Sequence, residues 1–110
     1  MKFLLFIGTA PDAEPYDPAL DNIDEWVTDN DSRGRRILGD RLADESTIVR
    51  KRGGEVLVTD GPFAEAKEWI VGFDVIEAAD REEAIAVAAA HPMARNGLVA
   101  IREFWGDRED

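Results

Sequence analysis

Three stretches of this chain are apolar on both sides of an extended backbone, and no other feature constrains its fold as strongly. KFLLFI (2–7) places Phe3, Leu5 and Ile7 on one face and Leu4 and Phe6 on the other. EWIVGFDVIE (68–77) sets Trp69, Val71, Phe73 and Val75 against Ile70 and Ile76. LVAIREFW (98–105) opposes Leu98, Ala100 and Phe104 to Val99, Ile101 and Trp105. A sheet built from such strands needs cover on both faces.

Two segments read as helices. In the first, Pro18 suits a helix start with Asp17 as N-cap, and Leu20, Ile23, Trp26 and Val27 form one apolar stripe. Gly34 weakens a continuation; Ile37, Leu38 and Leu42 either extend the element or pack as an irregular return. In the second, AADREEAIAVAAAHP, Asp80 is the N-cap with Glu83 three residues on. Ile85, Ala88 and Ala89 share a face, and Pro92 ends the helix. Between the helices, STIVR (46–50) and EVLVT (55–59) flank KRGG, a hairpin with Gly53-Gly54 at its turn.

The expected order is β-α-β-β-β-α-β. This is an α+β chain, a ferredoxin-like two-layer sandwich with an antiparallel sheet and one added β-hairpin. Two helices cover only one sheet face. An uncovered second face would exceed the few hundred Å² of apolar patch a soluble monomer usually exposes. The simplest cover is the same face of a second copy, giving a two-fold homodimer.

Length and composition set the outer bounds. At 110 residues the chain is expected to be one domain, 1–110, with a single core, and its 45% apolar content excludes disorder. There is no apolar run of about 18 residues to span a bilayer. MKFLLFI is too short in its apolar part for a secretory signal and reads as the first strand, so the expected location is cytoplasmic. The net charge of −11 argues against nucleic acid and anionic membranes as partners. Without Cys and with a single His, no thiolate or ordinary zinc site is expected, and neither a metal nor a cofactor is assigned. No G-x-G-x-x-G, P-loop, G-x-S-x-G or H-E-x-x-H pattern occurs.

One nine-residue stretch is more specific. Asp60-Gly61-Pro62-Phe63-Ala64-Glu65-Ala66-Lys67-Glu68 resembles the D-G-P-F-A-E-T-K-E signature of the DGPF, or YCII-related, family, departing only at Ala66. VRKRGGEVLVT before it, GFDVIEAADREEAIAVAAAHP after it and VAIREFW near the end extend the likeness. The resemblance implies a dimeric α+β barrel, two ferredoxin-like subunits pressed sheet to sheet. It also implies that some relatives act as dehydrochlorinases through an early His–Asp pair. That pair does not carry over, because residues 18–42 contain no His. Many relatives' genes lie beside those of alternative sigma factors, which implies a regulatory setting.

The candidate site residues lie in and after that stretch. Asp60 is either a turn residue accepting backbone N–H groups or a ligand-facing carboxylate. In extended conformation Glu65, Lys67, Trp69 and Phe73 share a face, so Glu65 and Lys67 continue an aromatic stripe. They could act as base and electrostatic clamp, hold a ligand without chemistry, or form an intersubunit ion pair. Asp60, Glu65 and Lys67 are thus the catalytic candidates, and Glu65, Lys67, Trp69 and Phe73 the ligand-binding ones. His91 reads as a cation at a helix C-terminus or as a general base. The basic Arg50, Lys51 and Arg52 at the hairpin tip suit solubility or intersubunit pairing. Three functions follow as expectations: a homodimer with a small-molecule site near the DGPFAEAKE segment, an enzyme of lyase or isomerase type, or a non-catalytic interaction or regulatory partner.

Overall fold

The computed structural model describes residues 1–60 and 70–107. The strands are β1 (Lys2–Gly8), β2 (Arg36–Arg41), β3 (Thr47–Arg52), β4 (Glu55–Asp60), β5 (Ile70–Glu77) and β6 (Leu98–Glu103). The helices are α1 (Ile23–Ser32), α2 (Arg81–Ala89) and the short α3 (Met93–Asn96). Four strands form an antiparallel sheet in the order β2-β5-β1-β6, and β3 and β4 pair separately as a hairpin. With the hairpin set aside, this order and the helices are compatible with a ferredoxin-like sandwich. No helix among the described residues is long and apolar enough to cross a membrane.

The core lies between the sheet and the helices. Phe3, Leu5 and Ile7 of β1 and Ile76 of β5 meet Trp26 of α1 and Ala84, Val87 and Ala88 of α2. Trp26 also ties the two helices together, its Nε1–H donating to Val87 O at 2.9 Å. α2 is capped as expected: Asp80 Oδ1 accepts from Glu83 N at 2.8 Å. Gly53 and Gly54 turn the hairpin with φ of +57° and +80°, the left-handed geometry that a Gly-Gly pair supplies.

The structure corrects the sequence reading in four places. First, β2 is an additional strand where the reading allowed a helix extension or an irregular return. The order is therefore β-α-β-β-β-β-α-α-β, with α3 split from α2 at Pro92. RILGDR has too little apolar periodicity to announce a strand; pairing with β5 makes it one. Second, Pro18–Leu20 is a single 3-10 turn, capped by Asp17 Oδ1 on Ala19 N at 3.0 Å, and α1 begins only at Ile23. Leu20 accordingly stays exposed. Third, α2 buries Ala84, Val87 and Ala88 and leaves Ile85 exposed. An alanine-rich helix offers more than one stripe, and the smaller residues allow the closer approach to the sheet. Fourth, β6 ends at Glu103, so Trp105 lies in a terminal 3-10 turn and is exposed.

The second sheet face is apolar along its middle strands, with Asp40 opposite Phe73 and Arg102 opposite Leu4 at its two edges. Leu38, Val75 and Leu4 stand in one cross-strand row and Phe73, Phe6 and Ala100 in the next. All but the exposed Leu38 are half-buried. Toward the helices, β5 presents Gly72, Asp74 and Ile76, all buried. A carboxylate at the centre of the most apolar strand needs an explanation, and it marks the site.

Candidate functional site

On the helical side, the sheet, the N-terminal half of α1 and the 91–96 segment enclose a cleft of about 760 Å³. Its apolar wall includes Ile7, Ile23, Val27, Val71 and Met93, and its polar groups include Tyr16, Asp21, Arg36, Asp74, His91 and Asn96. Clefts of this size, mostly apolar with a few polar groups, are the usual form of small-molecule sites.

The loop that rims the cleft is fastened in place. Asn96 Nδ2 donates to Glu14 O and Pro15 O at 3.1 and 3.2 Å, Glu14 N donates to Arg95 O, and Arg95 Nη2 donates to Leu20 O. Above this rim the Tyr16 hydroxyl donates to Asp21 Oδ2 at 2.9 Å, which raises the phenol's pKa. The rim is therefore built before any ligand arrives.

At the sheet side, Asp74 is 6% exposed and its Oδ1 accepts from Arg36 Nε at 2.8 Å. Arg36 further donates to Gly39 O at 2.8 Å and to Asp31 Oδ1 at 3.2 Å, so one guanidinium joins β2, β5 and the end of α1. Burial raises the Asp74 carboxyl above its usual range, and the guanidinium offsets only part of that. The same pairing raises Arg36 in turn. Oδ2 of Asp74 has no hydrogen-bond partner among the described residues.

Gly39 makes this ion pair possible. A Cβ at that position would overlap Asp74 Oδ1 and press on the Arg36 guanidinium. Gly39→Ala is expected to displace the pair and destabilise the fold by about 1–3 kcal/mol, read as a lowered urea midpoint at unchanged slope. The Asp74 carboxyl signal in NMR should move with it.

His91 follows the end of α2 and is 6% exposed, its ring edge-on to Trp26 with centroids 4.7 Å apart. Met93 N donates to Nδ1 at 3.0 Å, which puts the imidazole proton on Nε2. Burial lowers its pKa to about 4, so the ring is neutral at pH 7. That overturns the reading of His91 as a cation at a helix end. Nε2–H has no partner among the described residues. The cleft thus holds a desolvated carboxylate with one uncommitted oxygen and a neutral donor, a combination suited to a molecule with both an acceptor and an acidic or donating group.

The candidates from the sequence are distributed unevenly. Phe73 borders the cleft. Asp60 closes β4, is exposed and does not line it. Glu65, Lys67 and Trp69 lie outside the described residues. Asp74, Arg36 and Gly39 were missed. The available signal was Asp74 itself, a lone acid in IVGFDVI, since a charge expected inside a core requires a partner. Among the described residues no group of three or more His, Cys, Asp or Glu could hold a metal ion.

Comparison with known proteins agrees with the signature. The YCII-related domain matches residues 1–106. An uncharacterized protein of Rhizobium meliloti (strain 1021) is 48% identical over 40 residues, which cover 36% of this chain and 32% of that protein. The match thus spans about a third of the relative's length.

Proposed function

This chain belongs to the YCII-related family, and from that premise we propose that it is a homodimer that binds a small polar molecule in the cleft between the sheet and the Tyr16 rim. The observation that carries the reading is the presence of Asp74 and the neutral His91 in the wall of one cleft. Val71, Gly72 and Phe73 of that wall follow closely on the DGPFAEAKE segment, which supports a site near the signature. The apolar face formed by Leu4, Phe6, Phe73 and Val75 supports the homodimer.

A metabolite screen by thermal shift tests the site. A compound that raises the melting temperature of the wild type is expected to leave Asp74→Asn unshifted relative to that variant's own baseline. An equal shift in both would remove Asp74 from the site. Adding Lys67→Ala to the comparison tells whether the signature segment contributes.

A lyase or isomerase activity, expected from the sequence on Asp60, Glu65 or Lys67, finds two other suitable groups in the wall of this cleft. Asp74 Oδ2 would accept a proton from a carbon next to a carbonyl as the C–H bond breaks. The electron pair would pass to the carbonyl oxygen, where His91 Nε2–H donates to the developing charge. A neutral imidazole suits that role, because its donation costs no charged group in an apolar wall.

A further inference from the structure

The charged residues that line the cleft are Asp21, Arg36, Asp40, Arg41 and Asp74. All but one are committed within the chain. Asp74 pairs with Arg36, Asp21 accepts from the Tyr16 hydroxyl and from Ile23 N, and Asp40 Oδ1 accepts from Arg41 N. The exception is the Arg41 side chain. Among the described residues its guanidinium enters no hydrogen bond or ion pair.

Strand register fixes where that side chain stands. Arg41 lies opposite Gly72, and Gly39, two residues earlier, lies opposite Asp74. Gly72 in turn lies opposite Ile7, which belongs to the core between sheet and helices. Cross-strand partners share a face, so Arg41 projects on the cleft side, in line with Asp74. Two residues of strand set the two positions about 7 Å apart at the backbone. Gly72 has no side chain to stand between Arg41 and Ile7.

We infer that the cleft takes a small organic monocarboxylate, its carboxylate held by Arg41 and an oxo or hydroxyl group several bonds away meeting Asp74 and His91. The inference rests on the small-molecule reading above and names the ligand class. A guanidinium matches a carboxylate through two parallel hydrogen bonds. The opposite orientation is disfavoured, because Arg36 is already committed to Asp74, Asp31 and Gly39 O and offers a second carboxylate nothing. A phosphate calls for more donors than one guanidinium, and a chain of net charge −11 opposes ligands of higher negative charge. Ile7, Val71 and Met93 provide the apolar wall for the carbon skeleton.

An NMR titration of protein labelled at the methionine methyls tests it, with levulinate, its uncharged amide and inorganic phosphate as probes. The two methionines are Met93, which lines the cleft, and Met1, which does not and serves as the control. Levulinate is expected to shift Met93 but not Met1, and to bind about tenfold more tightly than the amide. Arg41→Gln should abolish that advantage, and Arg41→Lys should keep part of it. Arg41 is exposed and outside the core, so Trp26 fluorescence should be unchanged in both variants. If Met93 responds equally to acid and amide, or equally in wild type and Arg41→Gln, the carboxylate site is overturned while a ligand-binding cleft stands. Tighter binding of inorganic phosphate at Met93 overturns the monocarboxylate as well. If Met93 responds to no probe, the carboxylate site falls, and the metabolite screen with Asp74→Asn judges the cleft separately.

Discussion

Arg36→Met is expected to cost about 3–4 kcal/mol of unfolding free energy at pH 7. Removing one member of a buried ion pair leaves the other charge uncompensated, typically a loss of about 3–5 kcal/mol. Here the cost has a ceiling, because Asp74 can take up a proton instead. From an ordinary value near 4, protonating a carboxyl at pH 7 costs about 4 kcal/mol. Asp74 is already raised by burial, and loss of Arg36 removes the interaction that holds it down. Its folded pKa then lies well above the unfolded one, so stability is kept below the unfolded value and lost as pH rises through the folded one. The deficit of Arg36→Met relative to wild type should shrink by up to about 1.4 kcal/mol for each unit the pH is lowered from 7. Urea titrations at pH 7, 6 and 5 measure this directly. A deficit independent of pH would mean that Asp74 is not the group left unpaired.

Acidification should act on the wild type through His91 in the opposite sense. Its folded pKa of about 4 lies below the ordinary value of 6.5. Between those values the unfolded chain binds a proton that the folded chain refuses, so stability falls as pH drops through that window. The integrated loss approaches about 3 kcal/mol by pH 4, and it is an upper figure because carboxylates titrate in the same range. His91→Gln lacks the titrating ring and isolates the effect: its stability should decline less steeply than that of the wild type between pH 6.5 and 4. Parallel curves for the two proteins would place the imidazole in contact with water. The same titration carries functional weight, because protonating Nδ1 would break its hydrogen bond from Met93 N and release the ring that faces the cleft.

The sequence announced elements wherever their own residues carried the pattern. β1, β5, β6 and the β3–β4 hairpin have β-branched or aromatic runs, and Gly53-Gly54 has the conformational freedom its turn needs. β2 was illegible because its strand state comes from β5 and from the Arg36–Asp74 pair, neither of which is local. The cleft was partly visible: Phe73 was named, but as part of an aromatic stripe on the sheet. Asp74 is not legible as a site residue, because a single acid in an apolar run carries no periodicity. The burial of His91 against Trp26 arises from packing between α1 and α2 and leaves no mark in nearby residues, so the sequence alone does not show its neutral state. Sequence patterns report faces of elements, whereas this cleft is made where a glycine, an ion pair and a buried ring from distant positions converge.

The contact between Arg36 and Asp74 also answers a question of alignment. An edge strand as polar as RILGDR has almost no apolar reason to prefer one offset against its neighbour over the next, and a slip of one residue would turn every side chain to the opposite face. At the observed offset the guanidinium reaches its carboxylate, and the register shifts between Arg36 and Leu38. A charge pair thereby acts as the alignment key of the sheet's outer edge. The same key sets Leu38 on the side of Val75 and Phe73, so the face available to a partner and the floor of the cleft are fixed in one step.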